Sequence, residues 1–523
     1  MPRDFFHGRH AGLLAPLFSL PSRGSWGIGE IADLPRLGAW MQDAGFSFVQ
    51  LLPINEMADG QNSPYSAMSA MAIDPIFISL ADVPEIQRLG AERLLGDSER
   101  DALERARRSD AVDYGTVRPI KMLALRAAFE QFRVREWEPN TRRAHRLKLF
   151  IERARWWLDD YTLFRALHAR EGGRYWREWP EPLRHRIPTA LLEARQELAG
   201  EILFYSYVQW LASDQWSEAR DACDVGVFGD FPFMVSGDSA DVWARQHDFR
   251  FDASVGAPPD AFSETGQDWG FPAYRWQNIA AGGFRWLAAR ARRSAELYDG
   301  YRVDHLVGFF RTYVREQNGE AAFVPAEQPE QAMQGERVLD VLSATGARII
   351  AEDLGVIPDF VRDTLQRLEI PGYKVLRWER LWDVEGQPLK NPAEYPPTSV
   401  ATSGTHDTEP LAQWWDEAPV EERRAVAALA AACGTCDPDA PFNDATRDAI
   451  LGLLYASGSD IVLLPINDLF GWRDRINTPA LISDRNWTWR LPWPVDDLQV
   501  EEQGRARAAF TRSLAERCGR RLS

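Results

Sequence analysis

Three acidic side chains stand where apolar segments of this sequence end. The segment "YRVDHLVGFF" carries Asp304, "RIIAED" carries Glu352, and "SVATSGTHD" carries Asp407. Each acid alone has a simple structural explanation, because a carboxylate at a strand end can cap a helix or pair with an arginine. If all three opened onto one mouth, they would repel one another unless one kept its proton. That arrangement suits acid and base chemistry better than it suits folding.

Two such carboxyl groups are the equipment for breaking a glycosidic bond. In the retaining form, one attacks the sugar carbon while the other protonates the leaving oxygen, and a third can hold sugar hydroxyls. The chain has 21 tryptophans, whose faces can stack on sugar rings, although most are expected in the core. A net charge of -17 disfavours nucleic acid and anionic membranes as partners. A neutral sugar polymer is therefore the leading substrate class.

Further ionisable groups adjoin the three acids. Strand alternation places Arg302 on the same face as Asp304, while His305 points the other way unless the strand has already ended. His406 precedes the third acid, and Asp230 ends the segment "VGVFGD". These residues extend the predicted polar cluster.

Eight short apolar segments, most of them separated by helical patterns, predict the strands that must carry this cluster. Their alternation with helices predicts an α/β fold with a parallel sheet, and eight units favour a closed (β/α)8 TIM barrel. No glycine-rich phosphate loop follows any of these segments, which disfavours an open sheet. The chemistry would then lie at the C-terminal ends of the strands. The predicted strands are 46–54, 73–80, 225–233, 301–306, 348–353, 372–378, 399–407 and 460–467.

The predicted barrel is interrupted by one long insertion. Residues 1–80 would begin the catalytic barrel, residues 81–222 carry charge-rich helical patterns of a largely helical subdomain packed on it, and residues 223–523 would complete it with the active-site loops. The stretch "AGLLAPLFSL" imitates a signal peptide but precedes no small-x-small cleavage site, so it is predicted to belong to the fold.

The remaining composition predicts a cytoplasmic protein. Four cysteines form neither a disulfide framework nor a metal site and fit a reducing compartment. No run of about 18 apolar residues predicts a membrane span.

The sequence resembles the amylomaltases, or 4-α-glucanotransferases, a family related to the α-amylases. The resemblance runs nearly end to end through "SLPSRGSWGIGEIADL", "LLPINEMADGQNSPYSAMSAMAIDP" and "GDFPFMVSGDSADVW". Its most specific part is "GAPPDAFSETGQDWGFPAYRW", which is close to the loop that arches over the glucan in this family. "YRVDHLVGF", "AEDLG" and "SGTHD" resemble the three catalytic segments.

The resemblance implies a role for each acid. Asp304 would be the nucleophile, Glu352 the general acid/base and Asp407 the stabiliser of the transition state. Arg302 would keep the nucleophile ionised and oriented through its adjacent positive charge. The residues expected to bind substrate are Tyr65, Asp230, Asp260, Phe262, Glu264, Trp269, Arg302, His305 and His406.

The resemblance also implies an enzyme that needs no cofactor or metal, acts on α-1,4-glucans and maltooligosaccharides, and lacks the C-terminal all-β domain of the α-amylases. The sequence departs from the usual family pattern at Leu306 and Val307, where Phe-Arg is common, and at Thr408, where Asn is common. No catalytic carboxylate is lost. The departures affect the expected preferences for acceptor and chain length.

Three functions remain open at this point: a glucan-processing transferase, a retaining α-glucan hydrolase, and a non-catalytic glucan-binding protein on the same barrel. The intact acids disfavour the third. The first two share a covalent intermediate that either a sugar 4-hydroxyl or water can resolve, and only the resemblance of the arching loop favours transfer. The sequence leaves the oligomeric state open.

Overall fold

The computed structural model describes residues 8–259, 266–479, 481 and 483–522. Eight parallel strands close into a barrel in the order β1-β12-β11-β10-β9-β6-β3-β2, which confirms the predicted (β/α)8 fold. The barrel strands are β1 (His10–Leu14), β2 (Phe48–Gln50), β3 (Gly226–Phe231), β6 (Gly300–Val303), β9 (Arg348–Ala351), β10 (Gly372–Val375), β11 (Ser399–Thr402) and β12 (Ile461–Pro465).

The predicted strand at 73–80 is wrong. This segment forms the 3-10 turns Pro75–Phe77 and Leu80–Asp82, because the proline lacks an amide donor and the Asp74 carboxylate accepts a hydrogen bond from the amide of Ile76 at 3.0 Å. The missing strand is β1, which lies in the segment that imitates a signal peptide and is buried throughout. The other seven predicted strands each overlap a strand of the barrel.

Inside the lower barrel, phenylalanines on two strands pack against glycines on the neighbouring strands. The rings of Phe48 and Phe228 lie 4.5 Å apart, and the space they need is left by Gly12 and Gly300 on the neighbouring strands. A Cβ atom on Gly300 would come within 2.7 Å of the Phe228 ring. The barrel is therefore a packed core, and polar chemistry has room only at the C-terminal mouth.

A long insertion and a second sheet surround the barrel. Helices α2 to α8 lie between β2 and β3, and the longest two, α5 and α8, pack against each other. The helices are α1 (Leu34–Asp43), α2 (Pro84–Leu89), α3 (Asp97–Arg108), α4 (Tyr114–Phe132), α5 (Arg142–Arg170), α6 (Glu181–Arg184), α7 (Pro188–Glu197), α8 (Ala199–Ala222), α9 (Ala240–Ala244), α10 (Trp276–Ala281), α11 (Arg285–Leu297), α12 (Val307–Phe310), α13 (Gln328–Ser343), α14 (Asp359–Arg367), α15 (Leu411–Glu417), α16 (Val420–Ala430), α17 (Asp444–Tyr455), α18 (Ile466–Phe470) and α19 (Glu502–Arg517).

The second sheet is antiparallel, with the order β5-β4-β7-β8, and the sequence did not predict it. Its composition is atypical of strands, since β5 contains Gly270 and Pro272. Its strands are β4 (Phe249–Ala257), β5 (Gln267–Tyr274), β7 (Thr312–Glu316) and β8 (Ala321–Val324). Among the described residues, no helix has the length and apolar character needed to cross a membrane.

A buried contact ties the insertion to the start of the barrel. The ammonium of Lys121 on α4 lies 2.7 Å from the Glu30 carboxylate and donates to the carbonyl of Ile76 at 2.6 Å. Burial raises the pKa of Glu30 and lowers the pKa of Lys121, so each side chain depends on the other for stabilisation. The contact fixes the chain that follows β2, which includes the segment carrying Tyr65.

We expect Lys121→Met to lower the free energy of unfolding by about 3 to 5 kcal/mol, because the carboxylate of Glu30 would remain buried without a partner. Urea denaturation followed by circular dichroism measures this change. Adding Glu30→Gln should recover part of the loss, while Lys148→Met on the exposed side of α5 should change stability by less than about 0.5 kcal/mol. Equal losses in the single and double variants would contradict the coupling.

Candidate active site

Two charged residues meet inside the upper barrel because their strands are in register. Asp230 on β3 is the direct neighbour of Arg302 on β6, and both side chains point inward. Nη1 of Arg302 donates to both carboxylate oxygens of Asp230, at 2.9 and 2.7 Å. The side chain of Asp230 is 0% exposed and that of Arg302 is 4% exposed, so this pair lies away from water.

Arg302 also contacts two of the three acids predicted to be catalytic. Its Nη1 lies 3.0 Å from Oδ1 of Asp304, and its Nη2 lies 3.7 Å from Oε2 of Glu352. Burial by itself would lower the pKa of Arg302, but the surrounding acids outweigh burial and hold it well above its ordinary value. One positive charge thus contacts the carboxylates of three acids, which three neighbouring strands carry.

The backbone turns sharply between the first two acids. Strand β6 ends at Val303, and His305 has the left-handed φ of 44°. The turn aims the amide of His305 at Oε2 of Glu352, to which it donates at 2.7 Å. The strand has therefore ended before His305, so strict alternation does not set the direction of its side chain. A second amide, from Phe233, donates to Oδ2 of Asp304 at 3.3 Å.

The side chain of His305 borders the site as an uncharged ring. It meets the ring of Trp269 edge-on at 4.8 Å and that of Phe233 at 5.4 Å. Burial lowers the pKa of His305 to about 4, so the imidazole is neutral near pH 7. Trp269 on β5 is thereby placed beside the turn that carries Asp304.

Glu352 has the electrostatics of a proton donor. Burial raises its pKa to about 7, and the negative charge of Asp304 adds to this, although Arg302 opposes both. Burial is the largest cause of this raised pKa, ahead of the charge of Asp304. The next residue, Asp353, has a structural contact instead. Its carboxylate accepts a hydrogen bond from the amide of Tyr373 on the neighbouring strand at 2.6 Å.

Tyr65 joins the buried pair to the third acid. Its hydroxyl donates to Oδ2 of Asp230 at 2.8 Å and lies 3.0 Å from Nε2 of His406, whose ring stacks on the Tyr65 ring. The same His406 nitrogen lies 3.3 Å from Oδ2 of Asp407. Burial raises the pKa of Tyr65 well above its ordinary value, so it remains a phenol.

Asp407 is the most exposed of the three acids, with 41% of its side chain accessible. Burial opposes its charge, but His406 and a hydrogen bond from Nδ2 of Asn477 at 2.6 Å outweigh burial and lower its pKa to about 2. It is therefore a carboxylate across the neutral range. Nη2 of Arg475 donates to its backbone carbonyl at 3.0 Å and helps to fix its position.

The sequence did not identify several residues of this site. Asn477, Arg475 and Trp487 come from the segment after α18, and the Trp487 ring lies 5.6 Å from that of Tyr65. The Asn-x-Pro and Asn-Trp pairs in this segment were visible signals, but no spacing rule connects them to an acid 70 positions away. Three expected residues, Asp260, Phe262 and Glu264, lie outside the described residues.

The arrangement combines a carboxyl that is half protonated near neutral pH with a second acid held beside an arginine and a third that stays ionised. Groups whose pKa values are pushed apart in this way can divide the roles of acid, nucleophile and electrostatic stabiliser. No group of three or more His, Cys, Asp and Glu side chains in the described part of the chain could hold a metal ion.

Comparison with known proteins points to one family. The family model described as 4-alpha-glucanotransferase matches residues 15–496. The 4-alpha-glucanotransferases of Chlamydia pneumoniae and Thermus thermophilus are 33% and 34% identical to this chain; both alignments cover 94% of it, with 93% and 95% of the relatives' lengths.

A solved structure agrees. The amylomaltase from Streptococcus agalactiae, in complex with acarbose, superimposes with a TM-score of 0.81 at 26% identity, covering 98% of this chain and 100% of its own. Because the family model, the relatives and this structure all span nearly the whole chain, the resemblance found in the sequence is confirmed, and the chain belongs to the 4-alpha-glucanotransferase family.

Proposed function

We propose that this 4-α-glucanotransferase transfers α-1,4-glucan segments between maltooligosaccharides, or between starch or glycogen chains, by retaining double displacement with release of glucose. Family membership carries the transferase activity. The proposed mechanism rests above all on one observation: Arg302 contacts both Asp304 and Glu352, while burial raises the pKa of Glu352 to about 7. A nucleophile and an acid of suitable pKa thus stand on neighbouring strands.

In the first step, Glu352 gives its proton to the glycosidic oxygen while a carboxylate oxygen of Asp304 attacks the anomeric carbon. The bond to the leaving sugar breaks, and that sugar departs with a free 4-hydroxyl. In the second step, Glu352, now a carboxylate, takes the proton of an acceptor 4-hydroxyl. The acceptor oxygen displaces Asp304, and two inversions restore the α configuration.

The neighbouring groups would bind the sugar at the cleavage point. The ionised carboxylate of Asp407 accepts hydrogen bonds from sugar hydroxyls and stabilises the positive charge that builds on the ring in the transition state. His406, Tyr65 and Asp230 form one hydrogen-bonded row that can contact further hydroxyls. Arg302 orients Asp304 from below and stays charged throughout.

The acceptor is the second half of the proposal. The Trp269 ring packs against the ring of His305, the residue that follows Asp304. Asp260, Phe262 and Glu264 belong to the segment that resembles the arching loop. A retaining hydrolase would use the same three carboxylates, so the family assignment favours transfer where the acids do not. A non-catalytic glucan-binding protein would need no carboxyl with the electrostatics of Glu352. The cytoplasmic location stays a prediction.

We expect Asp304→Asn to lower turnover of maltotriose by about 10⁴-fold or more, because an amide cannot form the glycosyl ester. Product formation by chromatography measures the rate, and thermal unfolding checks the fold. Asp363→Asn, an exposed aspartate on α14, is the matched control and should retain full activity. A well-folded Asp304→Asn enzyme within tenfold of wild type would overturn the nucleophile assignment.

The proton held by Glu352 should limit the reaction at alkaline pH. Its pKa of about 7 means that the acid form is lost as pH rises above 7, so turnover of maltotriose should fall there. A maltosyl fluoride donor needs no proton on its leaving group, and its reaction with Asp304 should not fall in the same range. Glu352→Gln should therefore suppress reaction of maltotriose far more than reaction of the fluoride.

Pre-steady-state release of fluoride separates this first step from the second in the Glu352 experiment. Glu330→Gln, an exposed position on α13, should behave as wild type with both donors. Equal reductions with maltotriose and fluoride in Glu352→Gln would exclude the acid role.

Products from maltotriose should distinguish transfer from hydrolysis. Water at about 55 M competes for the intermediate, so a transferase must raise the effective concentration of the acceptor and exclude water. We expect glucose together with longer maltooligosaccharides, at nearly constant total reducing ends. A steady rise in reducing ends without longer products would show a hydrolase.

Trp269→Ala, alone or with Phe262→Ala, should shift this balance toward water more than it slows loss of donor. Trp382→Ala, at a 63% exposed tryptophan, is the control and should leave the ratio of transfer to hydrolysis unchanged. An unchanged ratio in the Trp269 variant would mean that this ring does not select the acceptor.

A further inference from the structure

A cavity of about 890 Å³ lies between the segment after β1, the C-terminal end of α3 and the described residues of the segment 472–494. Asp304, Glu352 and Asp407 do not line it. The segment 472–494 also supplies Asn477 to the candidate active site, so the cavity adjoins that site, and Arg475, which donates to the Asp407 carbonyl, lines it as well. Its volume falls in the range of sites for small ligands, about 300 to 1,000 Å³.

The lining of this cavity is strongly positive in a chain whose net charge is -17. Six arginines and two aspartates, Asp110 and Asp474, line it. Arg23 and Arg107 have close carboxylate partners, Asp497 at 2.5 Å and Glu104 at 2.8 Å. The positive excess therefore comes from the other four arginines, which have no described carboxylate partner closer than 3.6 Å. Such a concentration of positive charge opposes the average field of the protein and attracts an anion locally. The arginines are Arg23, Arg107, Arg108, Arg475, Arg485 and Arg490.

The carboxylates near the outer arginines neutralise them weakly. Arg485 lies 3.7 Å from Asp110, with both side chains more than three-quarters exposed, and Arg108 lies 3.6 Å from Glu104 with 81% of its side chain exposed. Exposed pairs at such distances contribute about 0 to 1 kcal/mol, so a better acceptor can displace them.

The inner arginine is held without a carboxylate. Arg490 donates to the carbonyls of Ala106 and Arg107 at the end of α3, at 2.8 and 3.3 Å. No ion pair within 4.0 Å joins it to an acid in the part of the chain that the structure describes. These carbonyls orient its guanidinium but do not neutralise its charge. The cavity therefore offers a positioned positive group as well as mobile ones.

Three indole rings complete the lining. Trp472 lies 5.7 Å from Trp489 and 5.5 Å from Trp493, measured between ring centroids, and all three contribute to the cavity. Indole faces stack on the apolar faces of sugar rings. A guanidinium group can donate two parallel hydrogen bonds to two oxygens of one phosphate. The two kinds of group together match a ligand that carries both a sugar ring and a phosphate.

We propose that this cavity binds a phosphate ester of glucose, with the phosphate among the arginines and the sugar against the tryptophans. The site is separate from the catalytic carboxylates, so it does not depend on their proposed roles. Two sources share this chemistry: a free hexose phosphate, and a glucan chain that carries a phosphate on one of its glucose units. An extended polyanion such as nucleic acid fits less well, because the rest of the chain repels it.

The test is calorimetric titration of the full-length protein carrying Asp304→Asn, which is expected not to turn over the glucan probes, with four probes: glucose 6-phosphate, 6-phosphorylated maltoheptaose, unphosphorylated maltoheptaose and inorganic phosphate. With each phosphorylated probe, Arg108→Gln together with Arg485→Gln should weaken binding about tenfold, because two guanidinium donors are lost. Arg155→Gln with Arg424→Gln removes the same charge from exposed arginines outside the cavity, and should change the Kd by less than about twofold. Thermal unfolding verifies that both double variants fold.

The probes also distinguish the sources. Binding of glucose 6-phosphate at least about tenfold tighter than inorganic phosphate supports a free sugar phosphate, and tight binding of phosphorylated maltoheptaose alone supports a phosphorylated glucan. Equal binding of phosphorylated and plain maltoheptaose overturns the proposal, as does binding of inorganic phosphate as tight as that of both esters. Equal weakening in the two double variants, or no binding of either ester, also overturns it.

Discussion

The guanidinium of Arg302 is the interaction on which the candidate active site depends. It contacts Asp230, Asp304 and Glu352, three acids that the barrel brings together from three strands. Without it, the repulsion among these acids would be uncompensated, and the pKa values of Asp230 and Glu352, which burial already raises, would rise further. The packed rings of the lower barrel exclude water from below, and the register of β3 and β6 sets Asp230 directly beside the arginine. The fold therefore fixes the electrostatics before any substrate arrives.

One positive charge among several acids leaves an imbalance, and the imbalance is chemically useful. Glu352 is the farthest of the three acids from the arginine, at 3.7 Å, and burial raises its pKa to about 7. Asp407 escapes this competition because it has its own partners, His406 and Asn477, which lower its pKa to about 2. Unequal access to positive charge and to hydrogen-bond donors thus separates the pKa values of acids of similar intrinsic strength, as the proposed roles require.

The sequence predicted the parts of the structure that follow from strand periodicity. The ends of the apolar segments pointed to Asp304, Glu352 and Asp407 as candidate site residues. The alternation of eight strands with helices predicted the barrel. It failed where local composition misleads: β1 has the character of a leader peptide, the apolar run after Asp74 contains a proline, and β5 contains a glycine and a proline. It also failed at Asn477, because contact with Asp407 depends on the tertiary path of a long loop.

The departures from the usual family pattern lie at positions that shape the backbone around the acids. The Thr408 hydroxyl accepts from the amide of Thr405 at 3.0 Å and donates to its carbonyl at 3.1 Å, which closes the turn that presents Asp407. Leu306 is fully buried, and the following helix α12 needs Gly308, where a Cβ atom would come within 2.6 Å of the His305 ring. Thr408 and Leu306 thus support the turns that carry the acids. A change among them therefore alters where the acids stand relative to donor and acceptor, while the charges that define the chemistry stay the same.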